Sequence, residues 1–127
     1  MVRPVAIVTG GAGYIGSTLV PILLEKGYKI KVLDNLMYGS DSMFACFRYS
    51  NFELIVGDIR DRSIVKQSLK GVDIIIHLAA IVGFPACKKA PDLARSVNFE
   101  GTQIIDDLRN KNQLICFAST GSNYGDL

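Results

Sequence analysis

A glycine-rich turn between an apolar strand and a helix constrains the fold of this chain more than any other feature. Residues 5–9 (VAIVT) are mostly apolar and rich in β-branched side chains, which is typical of a buried strand. The sequence GGAGYIG follows at 10–16, and apolar residues continue at helical spacing to about Lys26. Residues without a Cβ let a backbone bend sharply and come close to what lies against it. A strand, such a turn and a helix in this order predict the first βα unit of a parallel sheet.

The remainder of the chain repeats this alternation of strands and helices. Gly27 ends the first helix, and residues 40–50 favour a loop or a short helix within a loop. Consecutive apolar residues such as those at 74–76 indicate a sheet that is covered on both faces. We therefore predict an α/β fold, a doubly wound parallel sheet of the Rossmann type with about five strands and helices on both faces. The further predicted strands are 29–33, 52–56, 73–77 and 114–118, and the further predicted helices are 62–69 and about 92–110.

Composition and charge exclude several classes of protein. The chain is 49% apolar and 20% charged, which is too apolar for a disordered chain. Its length of 127 residues predicts one domain, 1–127. The net charge of +2 is spread thinly, so we expect no nucleic-acid or membrane partner. No apolar run reaches the roughly 18 residues of a spanning helix, and the amino terminus lacks a signal-peptide pattern. Three cysteines without a CxxC pair indicate a reducing compartment, so we expect a cytoplasmic protein.

The glycine turn and an acidic residue after the second strand together predict a bound dinucleotide. Gly10, Gly13 and Gly16 give the spacing GxxGxxG, and the helix behind them presents unpaired N–H groups to an anion such as a pyrophosphate. Asp34 follows Gly13 by 21 residues, where a carboxylate can accept hydrogen bonds from both ribose hydroxyls of an adenosine. A carboxylate repels a 2′-phosphate, and no arginine follows directly, so NAD is favoured over NADP. The alternative to dinucleotide binding is that residues 10–16 form only a tight turn between strand and helix, and that the aspartate is a helix N-cap.

Six motifs occur along the chain in a recognisable order. They are TGGAGYIGS at 9–17, DNL at 34–36, GDIR at 57–60, HLAA at 77–80, NFEGT at 98–102 and FASTGSNYG at 117–125. With these motifs the chain resembles the extended short-chain dehydrogenase/reductase family and, within it, the NAD-dependent nucleotide-sugar epimerases and dehydratases such as UDP-galactose 4-epimerase. The resemblance covers nearly the whole chain.

The resemblance implies a set of cofactor contacts. Asp58 resembles the carboxylate that accepts from the adenine amino group, with Ile59 against the ring. A plain interpretation makes Asp58 a helix N-cap, a role for which Asp61 competes. Asn98 resembles an asparagine that holds the central strands and the active-site region. The full predicted cofactor set is Gly10, Gly13, Tyr14, Ile15, Gly16, Asp34, Asn35, Leu36, Asp58, Ile59, Leu78, Ala79, Ala80 and Asn98.

His77 is the only histidine and has no partner at metal-ligand spacing, so we expect no metal site. We interpret it as a structural residue or one at the substrate end. The resemblance places Thr120 at the catalytic Ser/Thr position, with Ser119 as the neighbouring alternative. The Thr120 hydroxyl would bond the reacting sugar hydroxyl and orient it. Tyr124 is interpreted as a conformational Tyr-Gly residue and not as the catalytic tyrosine.

Two features of the sequence bear on the reaction. A dehydratase usually has an acidic residue after the catalytic threonine, where this chain has Gly121, so an epimerase is favoured. The family also uses a Tyr-x-x-x-Lys pair, and no tyrosine of this chain has a lysine four positions on. We therefore expect residues 1–127 to be an incomplete NAD-binding domain, which lacks the family's substrate domain and is inactive alone.

The sequence thus predicts the NAD-binding portion of a nucleotide-sugar epimerase. Such an enzyme oxidises the sugar to a keto intermediate and returns hydride to the opposite face. The resemblance implies a UDP-sugar as the favoured substrate and a homodimer that uses the helix at 92–110. The alternatives are a non-catalytic NAD-binding module or sensor, a nucleotide-sugar dehydratase, or another NAD-dependent oxidoreductase of the family.

Overall fold

Five parallel strands form the centre of the molecule, in the order β3-β2-β1-β4-β5. The computed structural model describes residues 2–125. The order reverses at β1, so the chain leaves β1 and β4 in opposite directions and opens a crevice at their carboxyl ends. The predicted fold class is confirmed. The strands are β1 Val5–Thr9, β2 Lys29–Asp34, β3 Phe52–Val56, β4 Ile74–His77 and β5 Leu114–Phe117.

Helices connect the strands on both faces of the sheet. The predicted helix at 92–110 is present, but a π-helical turn, Ser96–Gly101, joins its two α-helical parts. A 3-10 helix, Asp41–Arg48, occupies the region that the sequence left open. The α-helices are α1 Tyr14–Glu25, α2 Arg62–Ser68, α3 Phe84–Lys89, α4 Pro91–Arg95 and α5 Thr102–Leu108, and a second 3-10 turn covers Gly121–Tyr124.

Helix α3 was not predicted from the sequence. It has six residues, none of them buried, so it offers too few turns for an apolar periodicity to show. Among residues 2–125, no helix combines the length and the apolar character needed to cross a membrane.

Two apolar clusters cover the two faces of the sheet and explain its consecutive apolar residues. Along β1, Ala6 and Val8 face one cluster, while Ile7 faces the other. The first cluster packs beneath α1 and the first 3-10 helix, and the second beneath α2 and α5. Because both faces are covered, β1 is buried along nearly its whole length. The rigid centre of the sheet thereby fixes the strand ends that surround the crevice.

Candidate functional site

A cleft of about 1420 Å³ runs along the carboxyl ends of the strands. This is the edge where the strand order reverses and where sheets of this kind bind their ligands. The structure brings nearly all predicted site residues to this cleft, and Leu36 lies outside its walls. The predicted residues that line it are Gly10, Gly13, Tyr14, Ile15, Gly16, Asp34, Asn35, Asp58, Ile59, Leu78, Ala79, Ala80, Asn98, Ser119 and Thr120.

The glycine turn approaches the opposite wall of the cleft so closely that a side chain would not fit. Gly10 has a φ of +68°, and a Cβ there would lie 2.8 Å from the Cα of Ala79. A Cβ at Gly16 would collide with the backbone of Gly11. Gly10 therefore allows contact between the turn and the segment after β4, and Gly16 allows helix α1 to pack on the turn.

The amino end of α1 is prepared for an anion. Gly13 is the N-cap residue and supplies no side-chain cap, and the first turn carries no acidic residue. The amide of Ser17 donates to the Gly13 carbonyl and so makes the first hydrogen bond of the helix. The amides of Tyr14, Ile15 and Gly16 come before this bond in the first turn, and these three residues line the cleft. Unpaired amides and the positive end of the helix dipole favour a negatively charged group at this point.

Asp34 joins the glycine turn to the segment that follows β2. Its Oδ2 accepts from the amide of Ala12 at 3.0 Å, and its Oδ1 accepts from the amide of Leu36 at 2.8 Å. Each carboxylate oxygen has a further lone pair, so both can still accept from a ligand hydroxyl. Leu36 has a φ of +58°, and this bond together with the Gly39 amide on its carbonyl holds it there. Leu36 thus takes part through its backbone.

The structure separates the roles of two aspartates that the sequence left open. Asp61 caps α2, because its Oδ1 accepts from the amides of Ser63 at 2.9 Å and Ile64 at 3.3 Å. Asp58 lies at the cleft and pairs with Arg60, with 2.6 Å between Oδ2 and Nη2. This side-chain hydrogen bond holds the pKa of Asp58 below its usual value. Sequence reasoning gave Arg60 no role of its own, although it stands two residues from Asp58.

His77 ends β4 and is buried between two threonines. Its Nδ1 lies 2.6 Å from the Thr9 hydroxyl, and its Nε2 lies 2.9 Å from the Thr102 hydroxyl. The Thr9 oxygen already accepts from the amides of Leu78 and Ala79, so its proton must go to Nδ1. The Thr102 hydroxyl donates to the Asn98 carbonyl at 2.7 Å, so Nε2 must carry the imidazole proton. We call Thr9, His77 and Thr102 the His77 chain.

These contacts require a neutral imidazole. A proton on Nδ1 would face the Thr9 hydroxyl proton and break the His77 chain. Burial alone lowers the pKa of His77 from 6.5 to about 4, in agreement with that geometry. Of the two roles that the sequence left open for His77, the contacts describe a structural one.

Asn98 lies in the π-helical turn and clamps the segment after β4. Its Nδ2 donates to the carbonyl of Ile81 at 2.8 Å, and its Oδ1 accepts from the amide of Ile81 at 2.7 Å. Ile59 is 5% exposed and packs against Gly101 in the same turn. The turn thus braces two sides of the cleft.

The carboxyl end of β5 brings two hydroxyls to the cleft. The Thr120 oxygen accepts from the amide of Ser122 at 3.2 Å, and the Ser119 oxygen accepts from Nδ2 of Asn123 at 2.9 Å. Both residues are exposed, and their hydroxyl protons can turn toward a ligand. Sequence reasoning missed Phe84 and Cys87, which also line the cleft, because they belong to the short helix α3.

Comparison with known proteins identifies the family. The model of the NAD dependent epimerase/dehydratase family matches residues 6–127. The chain belongs to this family. The resemblance on which the sequence analysis relied is confirmed, and the NAD requirement that it implied is the one in the family's description.

Individual relatives agree with this assignment. UDP-glucose 4-epimerase from Yersinia enterocolitica is 37% identical over an alignment of 130 positions, and the match covers 94% of this chain and 38% of that protein. The UDP-glucose 4-epimerase of Thermus thermophilus, solved in complex with NAD, is 30% identical with a TM-score of 0.80, and the match covers 92% of this chain and 38% of that one.

A dehydratase is also similar. A double mutant of dTDP-glucose 4,6-dehydratase from Streptomyces venezuelae, solved with NAD bound, is 30% identical with a TM-score of 0.87. The match covers 96% of this chain and 41% of that one. The chain therefore spans about two fifths of the length of these relatives.

Proposed function

We propose that residues 1–127 form the NAD-binding part of a nucleotide-sugar epimerase. The observation that carries the proposal is a cleft lined by three features: the uncapped amino end of α1, the glycine turn, and the Asp34 carboxylate, which backbone amides hold in position. The first-turn amides of α1 would hold the pyrophosphate, and Asp34 would accept from the adenosine ribose hydroxyls. Gly10 and Gly16 would keep the turn tightly packed behind this group, because a Cβ at Gly10 would meet the Ala79 backbone and a Cβ at Gly16 would meet the Gly11 backbone.

The two ends of the cleft would recognise different parts of the cofactor. Asp58, kept ionised by Arg60, would accept from the adenine amino group, with Ile59 beneath the ring. Asn35 and the backbone of Leu36 would flank the adenosine ribose. Leu78, Ala79 and Ala80 would lie along the second ribose, with Asn98 holding their segment in place through Ile81.

The reaction would take place at the carboxyl end of β5. Bound NAD supplies reversible hydride acceptance. Thr120, or Ser119 beside it, would bond the sugar hydroxyl and orient its proton as the carbon is oxidised to a ketone. An epimerase then recovers the alcohol with the opposite configuration.

Several finer assignments belong to this proposal. Gly121 follows Thr120 where a dehydratase usually has an acid, which favours the epimerase, and the similar UDP-glucose 4-epimerases favour a UDP-sugar. The helical region 91–108 would contribute to a homodimer, and Phe99 within it is exposed. The missing Tyr-x-x-x-Lys pair leaves the 127 residues without a proton acceptor for the sugar hydroxyl, so we expect them to bind NAD without turnover.

Calorimetric titration of the 127-residue chain with NAD tests the cofactor assignment. We expect saturable binding of one NAD per chain and weaker binding of NADP, because Asp34 would repel a 2′-phosphate. Asp34→Asn should weaken NAD binding by about tenfold or more, since it removes the charge from the ribose contact. Asp107→Asn, on the exposed face of α5, is the control and should leave the affinity unchanged. No binding of NAD by the chain would overturn the assignment.

The complete gene product tests the reaction. It should interconvert UDP-glucose and UDP-galactose, or another pair of UDP-sugars, without net consumption of NAD. Release of a dehydrated keto-sugar would instead indicate a dehydratase. NAD binding without turnover of any nucleotide sugar would support a non-catalytic module, the alternative that the missing Tyr-x-x-x-Lys pair favours.

A further inference from the structure

The backbone segment 78–81, which forms one wall of the cleft, is held at both ends by partly buried hydrogen bonds. At its start, the Thr9 hydroxyl accepts from the amides of Leu78 at 3.1 Å and Ala79 at 3.2 Å. At its end, the Asn98 side chain pairs with both backbone groups of Ile81. The two anchors belong to different elements, the central strand β1 and the π-helical turn.

His77 joins these two anchors. It accepts from the Thr9 hydroxyl on one side and donates to the Thr102 hydroxyl on the other, and Thr102 in turn donates to the Asn98 carbonyl. The Thr9 oxygen can receive two amides only while its own proton is directed to Nδ1. The orientation of the first anchor therefore depends on the imidazole.

The position of this segment matters because the glycine turn touches it. A Cβ at Gly10 would lie 2.8 Å from the backbone nitrogen of Ala79, so a shift of the segment changes the width of the cleft at the turn. Every member of the His77 chain lies at or behind this wall, and none of them needs to touch the cofactor to act on it.

We propose that His77 is a positioning residue for the cofactor, which sets the segment 78–81 through the hydroxyls of Thr9 and Thr102. The inference rests on the proposed function, since it concerns NAD binding in this cleft. The groups that face the imidazole are the two hydroxyls and the ring of Phe117, whose centroid lies 6.0 Å from that of His77. These neighbours carry no charge, which suits a neutral histidine whose tautomer is set by its two hydrogen bonds.

Two substitutions at Thr9 separate positioning from packing. Thr9→Val keeps the shape of the side chain and removes the hydroxyl, whereas Thr9→Ser keeps the hydroxyl and removes a methyl group. We expect Thr9→Val to raise the Kd for NAD about tenfold or more, because the amide of Ala79 loses the hydroxyl that accepts from it and the amide of Leu78 keeps only the Thr9 backbone carbonyl. Thr9→Ser should stay within about threefold of the parent chain. The opposite order would mean that packing decides, and would overturn the proposal.

Two substitutions at His77 test the imidazole itself. His77→Asn places an oxygen near the position of Nδ1 and can still accept from Thr9, whereas His77→Leu cannot. We expect His77→Leu to weaken NAD binding about tenfold and His77→Asn to recover most of the loss. Equal losses in the two variants would overturn the proposal, and the Thr9 pair decides the matter if His77→Leu does not fold.

Further measurements separate affinity from stability. Because His77 is the only histidine, its two ring nitrogens give unambiguous ¹⁵N signals, and we expect the Nε2–H tautomer at pH 7. An Nδ1–H tautomer would contradict the proposal. Val72→Ala removes apolar volume at the amino end of the sheet, far from the cleft, and should lower stability without changing the Kd. If the parent chain itself does not bind NAD, the proposed function is wrong. If the parent chain binds NAD and the Thr9 and His77 variants bind it equally well, only the positioning role of His77 is wrong.

Discussion

Single residues shape the cleft mainly through the backbone of other segments. Gly10 lets the turn touch the segment after β4, and Asp34 accepts from one amide of the glycine turn and one of the segment after β2. His77 acts in the same way through the hydroxyl of Thr9. Because such contacts have little freedom to relax, small changes at these positions have large and specific effects.

Gly10→Ala should destabilise the chain by about 2–4 kcal/mol, since it adds both a left-handed strain and a collision with the Ala79 backbone. Gly39→Ala is the matched control, because Gly39 has a φ of +90° and nothing within 4 Å of an added Cβ. It should cost only the strain, about 1–2 kcal/mol. Urea unfolding measures both. Equal costs would mean that the approach of the turn to Ala79 contributes nothing to stability.

Stability should fall as the pH is lowered from 7.5 to 4.5, because of His77. The folded protein keeps this histidine neutral, with its pKa lowered to about 4, whereas the unfolded chain binds a proton near pH 6.5. The unfolded state therefore holds more protons between these values, and the free energy of unfolding decreases by about 2–3 kcal/mol.

Urea unfolding at a series of pH values checks this expectation, with His77→Asn as the control that lacks the titrating group. The variant should show a much flatter profile over the same range. Asp58 does not contribute to this slope, because its pKa in the folded protein lies below the ordinary value of 3.8. The stability that its ionised form provides is lost only below this pH range. A profile as steep in His77→Asn as in the parent chain would contradict the prediction.

At the level of elements, helix ends and one irregular turn position the cleft. Helix α1 begins with a glycine that leaves its amides free for a ligand, whereas α2 begins with Asp61, which satisfies its own. The π-helical turn Ser96–Gly101 directs Asn98 toward Ile81 and brings Gly101 against Ile59. Such turns interrupt the regular helical period and often occur at functional sites.

The side chain of Asp61 caps the amino end of α2 and should stabilise that helix. Asp61→Ala should lower the free energy of unfolding by about 1 kcal/mol, because the amides of Ser63 and Ile64 lose their acceptor. Asp61→Asn keeps an acceptor oxygen and should cost much less. Thermal or urea unfolding distinguishes the two variants. NAD affinity should not change in either, since Asp61 does not line the cleft.

At the scale of the whole molecule, buried polar contacts connect elements that are far apart in the sequence. Gln113 is 5% exposed and lies just before β5. Its Nε2 donates to the carbonyls of Leu69 at 2.7 Å and Val72 at 2.9 Å, and its Oε1 accepts from the amide of Asn110. This one side chain ties the entry of β5 to the connection between α2 and β4.

Gln113→Leu should destabilise the molecule by about 2–3 kcal/mol, because it leaves backbone groups without a partner in a buried place. Gln67→Leu, on the exposed face of α2, is the control and should stay within about 0.5 kcal/mol of the parent. The free energy of unfolding in urea measures the difference. Equal values for the two variants would show that the buried amide contacts carry no stability.

The sequence by itself determined the five strands, the main helices, the glycine turn and the acidic residue after β2. Those features are local, since apolar spacing reports which faces are buried and glycine spacing reports where the backbone must bend. The sequence also placed nearly every proposed contact residue at the carboxyl ends of the strands, because parallel strands end together at one edge of the sheet.

Only the tertiary structure decided which aspartate caps α2, what His77 bonds, how Asn98 is used and that α3 lines the cleft. His77 and Thr9 are 68 positions apart, and Asn98 and Ile81 are 17 apart. No local pattern encodes the partner of a side chain at such a distance, because the partner is set by how the strands and helices pack against one another. Helix α3 was not predicted for a related reason, since six residues of which none is buried show no apolar period.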